Sequence, residues 1–184
     1  MQDKEQQELE AEIGRHMLQP QNYGEMPDAD CIGIGIDNAT KTYAIMYLKR
    51  DSSRIIDVKF GTNSTGPDAT TLGSLLSEMI KGESIVNVLV TVFGLEEDLK
   101  ESYANLEKPK VDTSKPEGEQ VEHISTAHQD SANIILTAFR AAMRHYDRKQ
   151  EGIEEEHFEM SIVKTCPYSS GDCAFVKKDK SKEA

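Results

Sequence analysis

HMLQPQNYGEMPDADCIGIGIDNATKTYAIMYLKR, running from His16 to Arg50, passes from a helix end through a turn-rich connector into two strands. Pro20 stops the helix, because proline clashes with an α-helical residue before it. Asn22 to Asp30 is built from turn formers. CIGIGID then alternates isoleucine with small residues, and TYAIMYLK is a stronger strand of the same period. Upstream, Leu9, Ile13, His16 and Met17 recur at i, i+4, i+7 and i+8, which predicts an amphipathic helix over residues 4–18. Downstream, Asp51-Ser52-Ser53 reads as a hairpin turn and RIIDVKFG as a third strand. Three strands joined by short turns predict an antiparallel meander.

After Gly66-Pro67 the apolar period changes from two to 3.6. Leu72, Leu75, Leu76, Met79 and Ile80 form one helix, closed by Lys81-Gly82. Residues 84–92 and 94–106 read as two more helices, the second acidic. Residues 108–120 hold two prolines and little apolar content and read as a mobile loop. A long helix begins near Ser125 or Asp130 and runs to Asp147, with Ile135, Ala138, Phe139, Ala142, Met143 and Tyr146 as its buried stripe. His157 to Thr165 is a candidate fourth strand, and Lys177 to Glu183 reads as a disordered end. The fold class is therefore α+β: an N-terminal helix, a three-stranded antiparallel sheet, then helices packed on one face. One domain over 1–148 is expected, with a C-terminal extension over 149–184.

The 184 residues carry 21 Lys+Arg against 33 Asp+Glu, a net charge of −12. That balance argues against duplex nucleic acid, whose affinity rests on cationic contacts to phosphate, and against anionic membrane surfaces. No apolar run reaches the ~18 residues that span a bilayer. The acidic, polar start is unlike a signal or transit peptide, so a cytoplasmic protein is expected. Cys31, Cys166 and Cys173 form no CxxC pair and no even-numbered framework; reduced thiols are expected. The five histidines show no H-x3-H or H-E-x-x-H pairing. Asp130 and Ser131 read as cap residues at a helix start, where such side chains are favoured. Glu96-Glu97-Asp98 and Glu154-Glu155-Glu156 read as solvated faces.

The stretch quoted first resembles the N-terminal domain of NifU and IscU, the iron–sulfur cluster assembly scaffolds. That family opens with H-x-L-x-P-x-N-x-G and M-x-D-A-D-G, and His16, Leu18, Pro20, Asn22, Gly24, Met26, Asp28, Ala29 and Asp30 stand at those positions. Ile55, Asp57, Lys59, Phe60 and Thr62 resemble its third strand, Ser77 to Gly82 its T-E-h-h-K-G helix end (h apolar), and the helix ending at Tyr146 its last helix. The resemblance implies a scaffold that holds an iron–sulfur cluster on three cysteines and an aspartate, thiolate being the natural ligand for such clusters. Counted from Asp28-Ala29-Asp30, the first cysteine position falls at Thr40 and the aspartate at Thr42. The second falls at Thr65, or at Gly66 when counted back from Lys81-Gly82. The third falls at Ser131, with Asp130 where the family has histidine; pairing His123-Ile124-Ser125 instead also gives no cysteine.

The expectation is a scaffold-like protein with a substituted ligand set, binding iron or cluster weakly or not at all, and not an enzyme. The alternative is a regulatory or partner-binding module that keeps the fold without metal. Cys31, His123, His128, Cys166 and Cys173 are the candidate replacement ligands. The resemblance implies a cysteine desulfurase as partner. Chaperone recruitment is not supported, since Lys108-Pro109-Lys110-Val111 departs from the family's L-P-P-V-K.

Overall fold

The computed structural model describes residues 2–106, 114 and 125–163. Helix α1 spans Gln2–Leu18, and strands β1 (Cys31–Asp37), β2 (Thr42–Arg50) and β3 (Ile55–Thr62) follow. Helices α2 (Pro67–Ile80), α3 (Ile85–Ala104) and α4 (Ala127–Gln150) come next, and β4 (Phe158–Ser161) closes the order. The sheet order is β3-β2-β1-β4. The first three strands form the expected antiparallel meander, while β4 joins the free edge of β1 in parallel. The extension thus contributes a strand to the sheet. The expected loop at 108–120 lies outside the described residues apart from Ser114, as does the expected disordered end.

Alternation along β1 and β2 puts Cys31, Gly33, Gly35, Ala44, Met46 and Leu48 on the helix-covered face. Ile32, Ile34 and Ile36 alternate to the other face and are only half-buried. On the covered face Phe60, Val58 and Ile55 of β3 meet Leu76 and Ile80 of α2 and Ile135, Ala138, Phe139 and Ala142 of α4 in one core. The glycines of β1 let α4 lie on the strand. A Cβ on Gly33 would sit 1.9 Å from the Ala142 nitrogen, and one on Gly35 2.3 Å from the Ile134 oxygen.

The two helices expected over 84–106 are one, α3. Its inner stripe (Val88, Val92, Leu95, Leu99, Tyr103) keeps a 3.6-residue period straight through Gly94, so the helical ladder has no reason to break there. Ser84 caps it, its hydroxyl accepting from the Asn87 backbone N–H at 3.2 Å. The outer face is apolar too: Val86, Leu89, Val90 and Phe93 are 49–71% exposed. The stripe expected on α1 is mostly open, with His16 buried but Leu9 and Met17 about half exposed.

The connector owes its sequence to fastening. His16 Nδ1 and Ser74 Oγ are 2.7 Å apart, and Asn22, at φ 59°, donates from Nδ2 to Ser77 Oγ at 3.0 Å. Gly24, at φ 129°, donates its N–H to the Phe60 carbonyl. Asp30 accepts from the Arg50 N–H at 2.8 Å, and Asp28 pairs with Lys49. His145, not anticipated from the sequence, is buried: Nδ1 accepts from the Ile32 N–H and Nε2 donates to the Glu155 carbonyl, both at 2.9 Å. Those two bonds fix a neutral ring that ties α4 to β1 and to the segment leading into β4.

Candidate functional site at the open end of the sheet

Three segments converge where β1 ends: the β1–β2 turn, the loop after β3 and the start of α4. In the turn, buried Asp37 accepts from the Ala39 N–H at 2.9 Å through Oδ1 and from Thr40 Oγ1 at 2.8 Å through Oδ2. Thr40 and Thr42 hydroxyl oxygens are 2.6 Å apart. Since the Thr40 proton points at the carboxylate, the Thr42 proton points at Thr40, and the chain Thr42–Thr40–Asp37 leaves neither hydroxyl proton free. Lys41, at φ 60°, completes the turn.

The loop after β3 is clamped to this turn. Asn63 accepts from the Tyr43 N–H at 2.7 Å and donates to the Lys41 carbonyl at 3.0 Å, and Thr62 donates to the Tyr43 carbonyl at 2.7 Å. Thr65 is exposed beyond the clamp, and Gly66-Pro67 starts α2. In the first turn of α2, Asp68 Oδ2 lies 3.5 Å from Nδ1 of His128, an exposed residue on α4. The α2 start, and with it the β3 loop, is thereby brought to the α4 start.

Helix α4 begins at Ala127, earlier than Asp130, so Asp130 and Ser131 are not its caps. Thr126 holds the N-cap position without a side-chain cap bond. Ser131 Oγ donates back to the Ala127 carbonyl at 2.8 Å. Asp130 is buried and accepts from Tyr103 Oη at 2.7 Å and from Thr126 Oγ1 at 2.8 Å. Burial and that bond push the Tyr103 hydroxyl well above the ordinary phenol range. The Asp37 carboxylate is near enough to add to the push. The end of β4 comes here as well: Asn38 donates to Ser161 Oγ at 2.7 Å, and Asn133 to the Val163 carbonyl at 3.3 Å.

Of the positions picked out by counting, Thr40 and Thr42 are in contact, and Thr65, His128 and Ser131 lie on the segments around them. Cys31 is elsewhere. It pairs with Leu48 at the far end of β1, six residues from Asp37 or about 20 Å of strand. It is fully buried, and desolvation pushes its thiol up to about 12. His123, Cys166 and Cys173 lie outside the described residues. Among the described residues, no group of three or more His, Cys, Asp or Glu side chains is placed to hold a metal ion. Asp37, which holds Thr40, and Tyr103, which holds Asp130, were missed in the sequence. Asp37 opens a turn and bonds the backbone N–H two residues on, at Ala39, an Asx-turn that carries the signal in retrospect.

The profile of the NifU-like N terminal domain matches residues 8–152. The chain belongs to that family. Among NifU-like relatives, two Archaeoglobus fulgidus proteins, named iron-sulfur cluster assembly scaffold protein IscU 1 and IscU 2, are each 26% identical over 140 residues, covering 76% of this chain and 77% of theirs. The crystal structure of the N-terminal part of a nitrogen-fixing NifU-like protein from Brucella abortus superposes with a TM-score of 0.55. It covers 75% of this chain and 93% of that one at 12% identity, so the NifU-like fold is shared. No helix among the described residues is long and apolar enough to cross a membrane.

Proposed function

We propose that this NifU-like domain works in iron–sulfur cluster assembly with a substituted ligand set: Thr40, Thr42, Thr65 (or Gly66) and Ser131 stand where the family's cluster ligands stand. The observation carrying the reading is the hydroxyl-to-carboxylate chain Thr42–Thr40–Asp37. Its hydroxyl protons are held within the chain, so the oxygens stay neutral, and neutral hydroxyls are poor partners for iron beside thiolates. Iron or cluster is then held weakly or not at all, and the protein acts through a partner, a cysteine desulfurase, rather than as a catalyst. It works in the cytoplasm, independently of nucleic acid and membranes, and chaperone recruitment forms no part of the reading.

Anaerobic reconstitution with ferrous iron and sulfide tests this directly. The wild type should develop little charge-transfer absorption, and a Thr40→Cys, Thr42→Asp, Ser131→Cys variant with Thr65→Cys (or Gly66→Cys) should develop far more. A strongly coloured wild type would sink the substituted-site reading. The thiols to replace are then Cys166 and Cys173. Colour that survives Cys166→Ala and Cys173→Ala would leave His123 and His128 to be tested.

The exposed stripe Val86, Leu89, Val90 and Phe93 favours a second reading, a partner-binding module that keeps the fold without metal. Desulfurase capture by metal-free protein, lost in Val90→Glu, supports it; capture that Val90→Glu leaves intact counts against it.

A further inference from the structure

A second feature has no part in that reading. Between α1, α2, α3 and α4 lies a cavity of about 370 Å³, within the ~300–1,000 Å³ of small-molecule sites. Its walls are aliphatic along most of their length. On α2 they run from Leu72 to Met79 and on α4 from His128 to Leu136, so the slot is about 10–12 Å long at 1.5 Å per residue. Helices α3 and α4 run antiparallel, Tyr103 meeting Asp130 and Glu96 meeting Arg140. Most polar wall residues therefore gather at one end: Ser102 from α3, His128 and Gln129 from α4, with Asp98 one turn further along α3. Gln129 Nε2 donates to Ser102 Oγ at 3.1 Å, which leaves the Ser102 proton and the Gln129 carbonyl facing a ligand head. The rest of the slot is lined by leucine, isoleucine and methionine.

We propose that this slot binds a linear aliphatic molecule with a small neutral head, an alcohol or amide, whose chain lies among the leucines and whose head reaches Ser102 and Gln129. The one-sided distribution of polar groups selects an amphiphile over a wholly apolar ligand. The Asp98 carboxylate, about 6 Å along α3 from Ser102, selects a neutral head over an anionic one. Depth limits the chain to medium length.

The probe is the neutral dye 6-propionyl-2-(dimethylamino)naphthalene, displaced by n-alcohols; the chain has no Trp to interfere. One saturable site is expected. Competition should strengthen about fourfold per methylene from hexanol to octanol, as burial of each CH2 implies, and then level off. Decanoate should compete at least tenfold less well than decanol. Ala132→Leu, which fills the slot, and Met79→Glu, which charges its apolar end, should each weaken dye binding at least tenfold with the helical circular dichroism kept. Ile56→Glu, on the exposed face of β3, should leave binding unchanged. Absence of saturable binding, affinity independent of chain length, decanoate matching decanol, or binding lost in Ile56→Glu but kept in folded Ala132→Leu and Met79→Glu overturns the proposal.

Discussion

Replacing Gly33 by alanine adds one carbon at the tightest helix–strand contact in the protein. That carbon would lie 1.9 Å from the Ala142 nitrogen and 2.3 Å from the Ala138 oxygen, where real Cβ contacts stay beyond 3.0 Å. Both obstructing atoms are helix backbone, so no rotamer change relieves them; α4 must retreat by about 1 Å. A gap of that size forfeits a quarter to a half of each affected dispersion contact, and a buried aliphatic side chain makes some 40–60 of them. Ile135, Ala138, Phe139 and Ala142 would all be lifted from the sheet. The loss should exceed the ~1–3 kcal/mol of ordinary overpacking and reach about 4 kcal/mol or more. Intrinsic preference acts in the opposite direction, since alanine suits a strand better than glycine by roughly 0.5–1 kcal/mol. The assay is urea unfolding followed by circular dichroism at 222 nm. Gly94→Ala in α3 is the companion, having nothing within 4 Å of its Cβ; it should stabilise by about 0.8–1 kcal/mol. A Gly33→Ala protein within about 1 kcal/mol of wild type would refute the reasoning, because α4 could not then be seated on β1 as described.

Other expectations concern single groups. Tyr103→Phe withdraws one donor from buried Asp130 and should cost about 1–3 kcal/mol in the same unfolding assay, more than a change at an exposed tyrosine such as Tyr23. Cys31, with its thiol pushed up to about 12, should react with a disulfide reagent at pH 8 at least a hundredfold more slowly in native protein than in urea, and Cys31→Ala should remove that slow fraction. Lys81, 2.6 Å from Asp57, holds that carboxyl below its ordinary 3.8. A depressed native value adds stability above the unfolded value that is lost as pH falls through the folded one. The Lys81→Gln deficit, under about 1 kcal/mol because both groups are more than a third exposed, should be present at pH 6 and shrink as pH falls below 3.8 through the depressed native value. A deficit unchanged down to pH 2 would show that the ion pair is not its source.

The residues that made the fold legible and those that would do the chemistry are different residues. His16, Asn22, Gly24, Asp28 and Asp30 sit in the connector, where turn geometry and side-chain bonds to α2, β2 and β3 leave few alternatives, so their pattern reads straight from the chain. The strands were legible because one face is buried and alternation follows. α3 was misread at Gly94, since a glycine costs a helix only about 1 kcal/mol and packing along Val88 to Tyr103 outweighs it. Counting along the chain brought Thr40 and Thr42 together, but not the hydrogen-bond chain to Asp37, which depends on how the turn closes. The buried roles of His145 and Asp130 were hidden for a different reason. Polar residues on a helix read as surface unless their partners, here Ile32, Glu155, Tyr103 and Thr126, are known, and most of these are distant in sequence.

The parallel pairing of β4 with β1 has a consequence for how the protein is made. During synthesis the meander can zip up as soon as β3 leaves the ribosome, but more than a hundred residues separate β1 from the strand that covers its free edge. At about 5–20 residues per second the nascent chain spends several seconds or more with an uncovered row of backbone donors and acceptors, flanked by isoleucines. α4, whose weight holds β1 down, arrives in the same late window. Truncation before Phe158 would make that vulnerable interval permanent, turning a passing hazard of translation into a standing invitation to edge-to-edge aggregation.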